Sequence, residues 1–99
     1  MIIVLGHVRI DPSDAEAFCR DIREIDPSNK PNSGCLFYSV AAVDPSIGRM
    51  LVAERWRDQQ SLTAHLQRPE TLAFVQAWSG RMQGDVRRYD ASNERPLSD

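Results

Sequence analysis

Apolar residues recur with the alternation of a strand in four stretches of this chain and with the three- and four-residue steps of a helix in three. Residues 2–10 open with Ile2, Val4, Val8 and Ile10 on one parity, together with Gly6. Ile3, Leu5, His7 and Arg9 take the other, apolar at its start and polar at its end. Asp11-Pro12-Ser13-Asp14 stops that strand and begins a helix whose Ala15, Phe18, Cys19, Ile22 and Ile25 fall on one side, ending at Pro27. Residues 27–34 form a polar loop inside the domain. Residues 35–44 are a second strand, with Phe37 on one side and Leu36, Tyr38 and Val40 on the other. A turn over 44–48 leads into a third strand over 50–57, which carries Glu54 and Trp56. Almost no loop separates it from a helix over 58–66, capped by Asp58 or Ser61, with Leu62, His65 and Leu66 on one side. Pro69 starts a further helix with Leu72, Val75, Trp78 and Met82 as its apolar side and Phe74 beside them. The pattern carries this helix through Gly80 to a stop at Gly84, with a short strand over 85–91 after it.

The order strand, helix, strand, strand, helix, strand predicts an α+β fold: a ferredoxin-like βαββαβ unit, with an antiparallel four-stranded sheet and the helices on one face. One domain spans residues 1–91, and the polar, aperiodic residues 92–99 read as a mobile tail. The first three strands carry apolar residues on both parities, whereas a sheet with one wet face alternates apolar with polar. Helices cover only one face. A second copy of the chain on the other face, in a two-fold homodimer, is the economical cover.

Composition narrows the function classes. The 99 residues are 41% hydrophobic and 26% charged, with a net charge of −2, so no global field favours nucleic acid. The third strand, with one aromatic and no glycine, is unlike an RNA-binding strand. No apolar run is long enough to span a bilayer, and no basic n-region or small-residue cleavage site marks a signal peptide. Cys19 and Cys35 lack ligand spacing, so no metal site is expected, and they read as free thiols in a reducing cytoplasm.

Several residues then carry a likeness: Gly6-His7-Val8-Arg9, Gly34-Cys35-Leu36-Phe37-Tyr38, Glu54-Arg55-Trp56, Ser61-Leu62 with His65-Leu66, the Pro69 break, and Arg88-Tyr89. In that order and spacing the chain resembles the antibiotic biosynthesis monooxygenase (ABM) domain, a dimeric α/β-barrel family that includes small quinol monooxygenases. The resemblance implies oxygenation of a phenolic, quinol or anthrone-type aromatic by O₂ with no cofactor. Such a protein need supply only an apolar slot, a group that handles the phenolic proton, and exclusion of water. No GxGxxG, P-loop or HExxH motif argues against this.

The candidate catalytic residues are His65, Glu54 and Tyr38. A histidine on the apolar side of a helix titrates near neutrality, though it also suits a structural tie to the sheet, for instance to Glu54. Glu54 in an apolar strand orients a histidine, pairs with an arginine, or sits at the rim of the dimer contact. Tyr38 either meets a substrate oxygen or packs its ring and wets its hydroxyl. His7, Trp56, Phe74 and Trp78 are candidates for the substrate slot; edge placement explains the first and plain core the others. The rival functions are a non-catalytic dimeric module that binds a small hydrophobic ligand, and haem degradation. The second lacks support, because His65 stands where that chemistry would need a tryptophan. A ligand-binding module would have its pocket polar groups satisfied by the protein itself.

Overall fold

The structure is a computed structural model and describes residues 1–98. Asp99, the last residue of the predicted tail, lies outside the described residues. The elements are β1 (Ile2–Ile10), α1 (Ala15–Ile25), β2 (Cys35–Asp44), β3 (Arg49–Trp56), α2 (Gln59–Leu66), α3 (Pro69–Trp78) and β4 (Met82–Asp90). The sheet order is β2-β3-β1-β4, and each neighbouring pair is antiparallel. This is the ferredoxin-like α+β arrangement predicted from the element order.

Short polar caps set the element starts. Asp11 accepts from the Ser13 N–H at 2.9 Å, and Asp26 accepts from the Ser28 N–H at 2.8 Å, each ahead of a proline-led turn. Asp58 accepts from the Ser61 N–H at 2.8 Å and fixes the N-terminus of α2 directly after β3. The core lies on one sheet face, where Ile2, Val4, Val8, Met50, Val52 and Trp56 meet Phe18 of α1, Leu62 of α2 and Trp78 of α3. Phe18 meets Trp78 edge-on, with ring centroids 5.0 Å apart.

The last third of the chain departs from the pattern reading in two ways. Helix α3 stops at Trp78, and Met82 belongs to β4, so Gly84 is a strand residue and not a helix stop. The stop is Gly80, whose φ of +84° places it in the left-handed region just past the helix. The Arg81 N–H donates to the Trp78 carbonyl at 2.9 Å, and the Arg81 guanidinium lies 4.0 Å from the Trp78 ring centroid, which closes the turn. The inward side of α3 also differs. Thr71, Phe74 and Trp78 face the core, while Leu72 and Val75 are 55% and 47% exposed. Apolar residues occur all round this helix, so packing of Phe74 and Trp78 on Phe18 decides its rotation.

On the sheet face away from the helices, Leu5, Phe37 and Tyr89 are each about half exposed, with Arg55 over the Phe37 ring. Beyond β4, the Ala91 N–H donates to the Met1 carbonyl, and Glu94 pairs with Arg55 at 2.9 Å.

Candidate functional site

A cavity of about 480 Å³ lies between the sheet and the helices. Its floor is apolar: Val4, Val8, Val40 and Val52 from the sheet. Phe18 and Ile22 of α1 and Phe74 of α3 form much of the opposite wall. Its polar side chains are few. Tyr38, Glu54, His65, Thr71, Arg87 and Arg88 line it, Arg87 being paired with Asp85 at 2.9 Å. An apolar cavity with a few convergent polar groups is the usual form of a small-molecule site.

Strand register brings Tyr38 and Glu54 together. Tyr38 of β2 pairs with Glu54 of β3, which pairs with Val4 of β1, so the side chains stand in one row on the helix face. His65 reaches this row from α2. It is 5% exposed, and its ring centroid lies 5.0 Å from that of Trp56 and 6.0 Å from that of Tyr38. The three catalytic candidates thus share one wall of one cavity.

Neither partner expected for Glu54 is present. Its Oε1 accepts the Trp56 indole N–H at 2.8 Å, and no bond to His65 or to an arginine forms among the described residues. Burial raises the Glu54 carboxyl above the ordinary carboxylate value; the Trp56 bond offsets part of that, and the charge of Asp26 adds to it. Burial also raises the Tyr38 phenol, with Glu54 adding to the effect. Burial lowers His65, and the charges of Arg68 and Lys30 lower it further. His65 is therefore neutral near pH 7, the form that accepts a proton.

Two buried side-chain atoms in this wall have no hydrogen-bond partner among the described residues: His65 Nδ1 and Thr71 Oγ1. Thr71 is 3% exposed on the first turn of α3 and was not among the sequence candidates. No motif marks it; only the rotation of α3 turns it inward. Arg88 was also missed, because its placement depends on how β4 pairs with β1.

The four proposed slot residues divide. Phe74 lines the cavity. Trp56 and Trp78 do not: they are fully buried, and their indole N–H groups are held by Glu54 and Asp21, at 2.8 and 3.0 Å. Trp56 acts on the site from behind, through His65 and Glu54. His7 lies on the opposite sheet face, where its Nε2 is 3.1 Å from an Arg49 guanidinium nitrogen. The physical reason is parity: Val4 and Val8 face the helices, so His7 faces away.

No helix is long and apolar enough to cross a membrane, and no group of three or more His, Cys, Asp or Glu among the described residues could hold a metal. The family model described as "Antibiotic biosynthesis monooxygenase" matches residues 1–77. No curated protein matches the chain. Among solved structures, a candidate antibiotic biosynthesis monooxygenase of Deinococcus radiodurans superposes with a TM-score of 0.82 at 20% identity, covering 98% of each chain. A conserved protein of Methanosarcina mazei Go1 gives 0.77 at 18% identity, covering 92% of each. The protein PA3566 of Pseudomonas aeruginosa gives 0.74 at 21% identity, covering 93% of this chain and 94% of that one. At these identities the superpositions speak for the fold, and the same fold hosts unrelated reactions.

Proposed function

Since the chain belongs to the antibiotic biosynthesis monooxygenase family, we propose that it is a cofactor-independent monooxygenase of phenolic, quinol or anthrone-type aromatics. The observation that carries this reading is the meeting of His65, Tyr38 and Glu54 at one apolar cavity, with His65 neutral. Neutral His65 takes the acidic proton of the substrate, and the electron-rich anion gives an electron to O₂ in a dry site. The two radicals combine at carbon to a peroxide, and the O–O bond then breaks. For an anthrone, the ring methylene becomes a carbonyl. One oxygen atom enters the product, and the other leaves as water with both methylene hydrogens, one of them returned by His65. Tyr38, held as the neutral phenol, donates a hydrogen bond to the substrate oxygen.

The rival reading, a non-catalytic ligand-binding module, calls for polar groups already satisfied by protein. Among the described residues His65 Nδ1 and Thr71 Oγ1 have no protein partner, so that condition is not met. The half-exposed Leu5, Phe37 and Tyr89 support a homodimer through the sheet faces away from the helices, which sedimentation as a monomer at micromolar concentration would exclude. The free thiols of Cys19 and Cys35 suit a cytoplasmic protein. The deciding experiment is O₂ consumption with a small panel of quinols and anthrones, aerobic against anaerobic. Turnover that needs O₂ and leaves no flavin or metal requirement supports the reading. Absence of turnover across the panel, with the compounds bound, overturns it.

A further inference from the structure

The row that holds Tyr38 and Glu54 continues across the sheet. Val4, which pairs with Glu54 on one side, pairs with Arg88 of β4 on the other. Tyr38, Glu54, Val4 and Arg88 therefore cross all four strands on the helix face, and Arg88 lines the cavity at its exposed β4 side. Two strand spacings separate Glu54 from Arg88, roughly 10 Å.

Other arginines near this region have a use within the chain. Arg87 pairs with Asp85 at 2.9 Å, Arg55 with Glu94 at 2.9 Å, and Arg81 with Asp14 at 3.3 Å. Arg88 has no ion-pair partner among the described residues. Two acids share its sheet face. Glu54 has its Oε1 taken by the Trp56 indole, and Asp90, two residues along β4, makes no ion pair among the described residues. The cavity thus has a proton-accepting end, an apolar middle of Val4, Val8, Val52 and Val86, and a cation at its mouth.

We propose that Arg88 is a specificity residue of this cavity and that the ligand is a flat aromatic phenol bearing a carboxylate on the side of its ring system remote from the phenolic oxygen. The assignment of the phenolic end to His65 and Tyr38 rests on the monooxygenase reading; the pairing of Arg88 with the acid does not. A guanidinium at a cavity rim matches a carboxylate in shape and charge, and the apolar middle accepts two fused rings. A neutral anthrone or quinol fills the middle and leaves the mouth unused.

The test is calorimetric binding of two probes to the full chain: 6-hydroxy-2-naphthoate and its neutral isostere 6-hydroxy-2-naphthamide. The acid should bind about tenfold more tightly than the amide, the scale of one charge-assisted contact near solvent. That ratio should shrink as salt is raised. Arg88→Gln should bring it to about one, and Arg88→Lys should keep part of it. Arg9→Gln, on the opposite sheet face, should leave it unchanged. Equal binding of the two probes, or a ratio that survives Arg88→Gln, overturns the proposal. If neither probe binds, the proposal falls together with the aromatic-substrate reading. If the acid binds through Arg88 while nothing in the panel consumes O₂, the proposal stands and the monooxygenase reading falls.

Discussion

His65 and Glu54 are joined through the Trp56 side chain and not by a bond to each other: the imidazole and Trp56 ring centroids lie 5.0 Å apart, and the Trp56 indole donates to Glu54 at 2.8 Å. One fully buried tryptophan therefore positions both ionisable groups. Trp56→Phe keeps most of the packing and removes the donor. It leaves the buried Glu54 carboxyl without that partner, a loss of about 1–3 kcal/mol. Because the indole bond holds the carboxyl down against its burial, the variant should also titrate Glu54 at higher pH. Denaturant unfolding and carboxyl titration by NMR measure the two effects.

The shifts of His65 and Glu54 give stability a pH dependence of opposite sign. The folded-state pKa of His65 lies below its ordinary 6.5, so the unfolded chain binds the proton more readily. Its contribution is present above pH 6.5 and is lost as pH falls through that value toward the folded pKa. The folded-state pKa of Glu54 lies above its ordinary 4.5. Its contribution is fully present below pH 4.5 and is lost as pH rises through the folded pKa. Melting temperature against pH should show both. Glu54→Gln should remove the loss on the rising side and be more stable than the wild type at pH 7, while His65→Gln should remove the loss below pH 6.5. A Glu54→Gln variant less stable at pH 7 would mean that the carboxylate is needed as such.

Gly6 sets how closely β4 approaches β1 under the cavity. A Cβ there would collide with the Asp85 carbonyl and come within 2.6 Å of the Val86 Cα, both backbone atoms that cannot swing away. Gly6→Ala should therefore cost about 1–3 kcal/mol. It should also push β4 outward and weaken binding of the naphthoate probe, because Val86 and Arg88 move with the strand. Chemical denaturation with probe binding on the same sample checks this. Gly84→Ala is the milder comparison: its nearest contacts are the Val8 side chain at 3.3 Å and the His7 carbonyl at 3.4 Å, so a shift of a few tenths of an ångström suffices and the loss should be smaller than for Gly6→Ala.

Strand order and the meeting of His65 with the sheet were legible because they depend on period and on chain length. Asp58 caps α2 directly after Trp56, and with no loop between them the helix has little choice but to lie on the strand it leaves. Parity placed Tyr38 and Glu54 but left open which face was which. Only the burial of Val4, Val8 and Trp56 against Phe18, Leu62 and Trp78 tells the helix face from the open one, and with it the exclusion of His7. Arg88 needed the β1–β4 register, which no local pattern carries. Thr71 needed the rotation of α3, and there the pattern pointed the wrong way: Leu72 and Val75 are larger and more apolar, yet they stand half exposed while a threonine turns inward. Gly80 was read as a tolerated helix residue because a glycine's φ is invisible in a sequence.

Substitution of His65 separates chemistry from architecture. The ring packs against Trp56 and Tyr38 and is buried, so His65→Ala opens space beside the largest side chain of β3. That alone should cost on the order of 2–4 kcal/mol, and a fall in turnover could then follow from a loosened site. His65→Gln keeps much of the volume, supplies an amide in place of the imidazole, and cannot accept a proton near neutral pH. If His65 is the base, both variants should lose about a hundredfold or more in kcat, while KM changes little and only the alanine variant melts early. The wild-type kcat should also fall as pH drops through the folded pKa of His65, below 6.5, and that limb should vanish in the glutamine variant. If His65 is only a packing residue, the glutamine variant should keep wild-type turnover at temperatures where it is folded. A stable, fully active His65→Gln removes proton acceptance by this residue from the mechanism and moves the search for the base to Glu54.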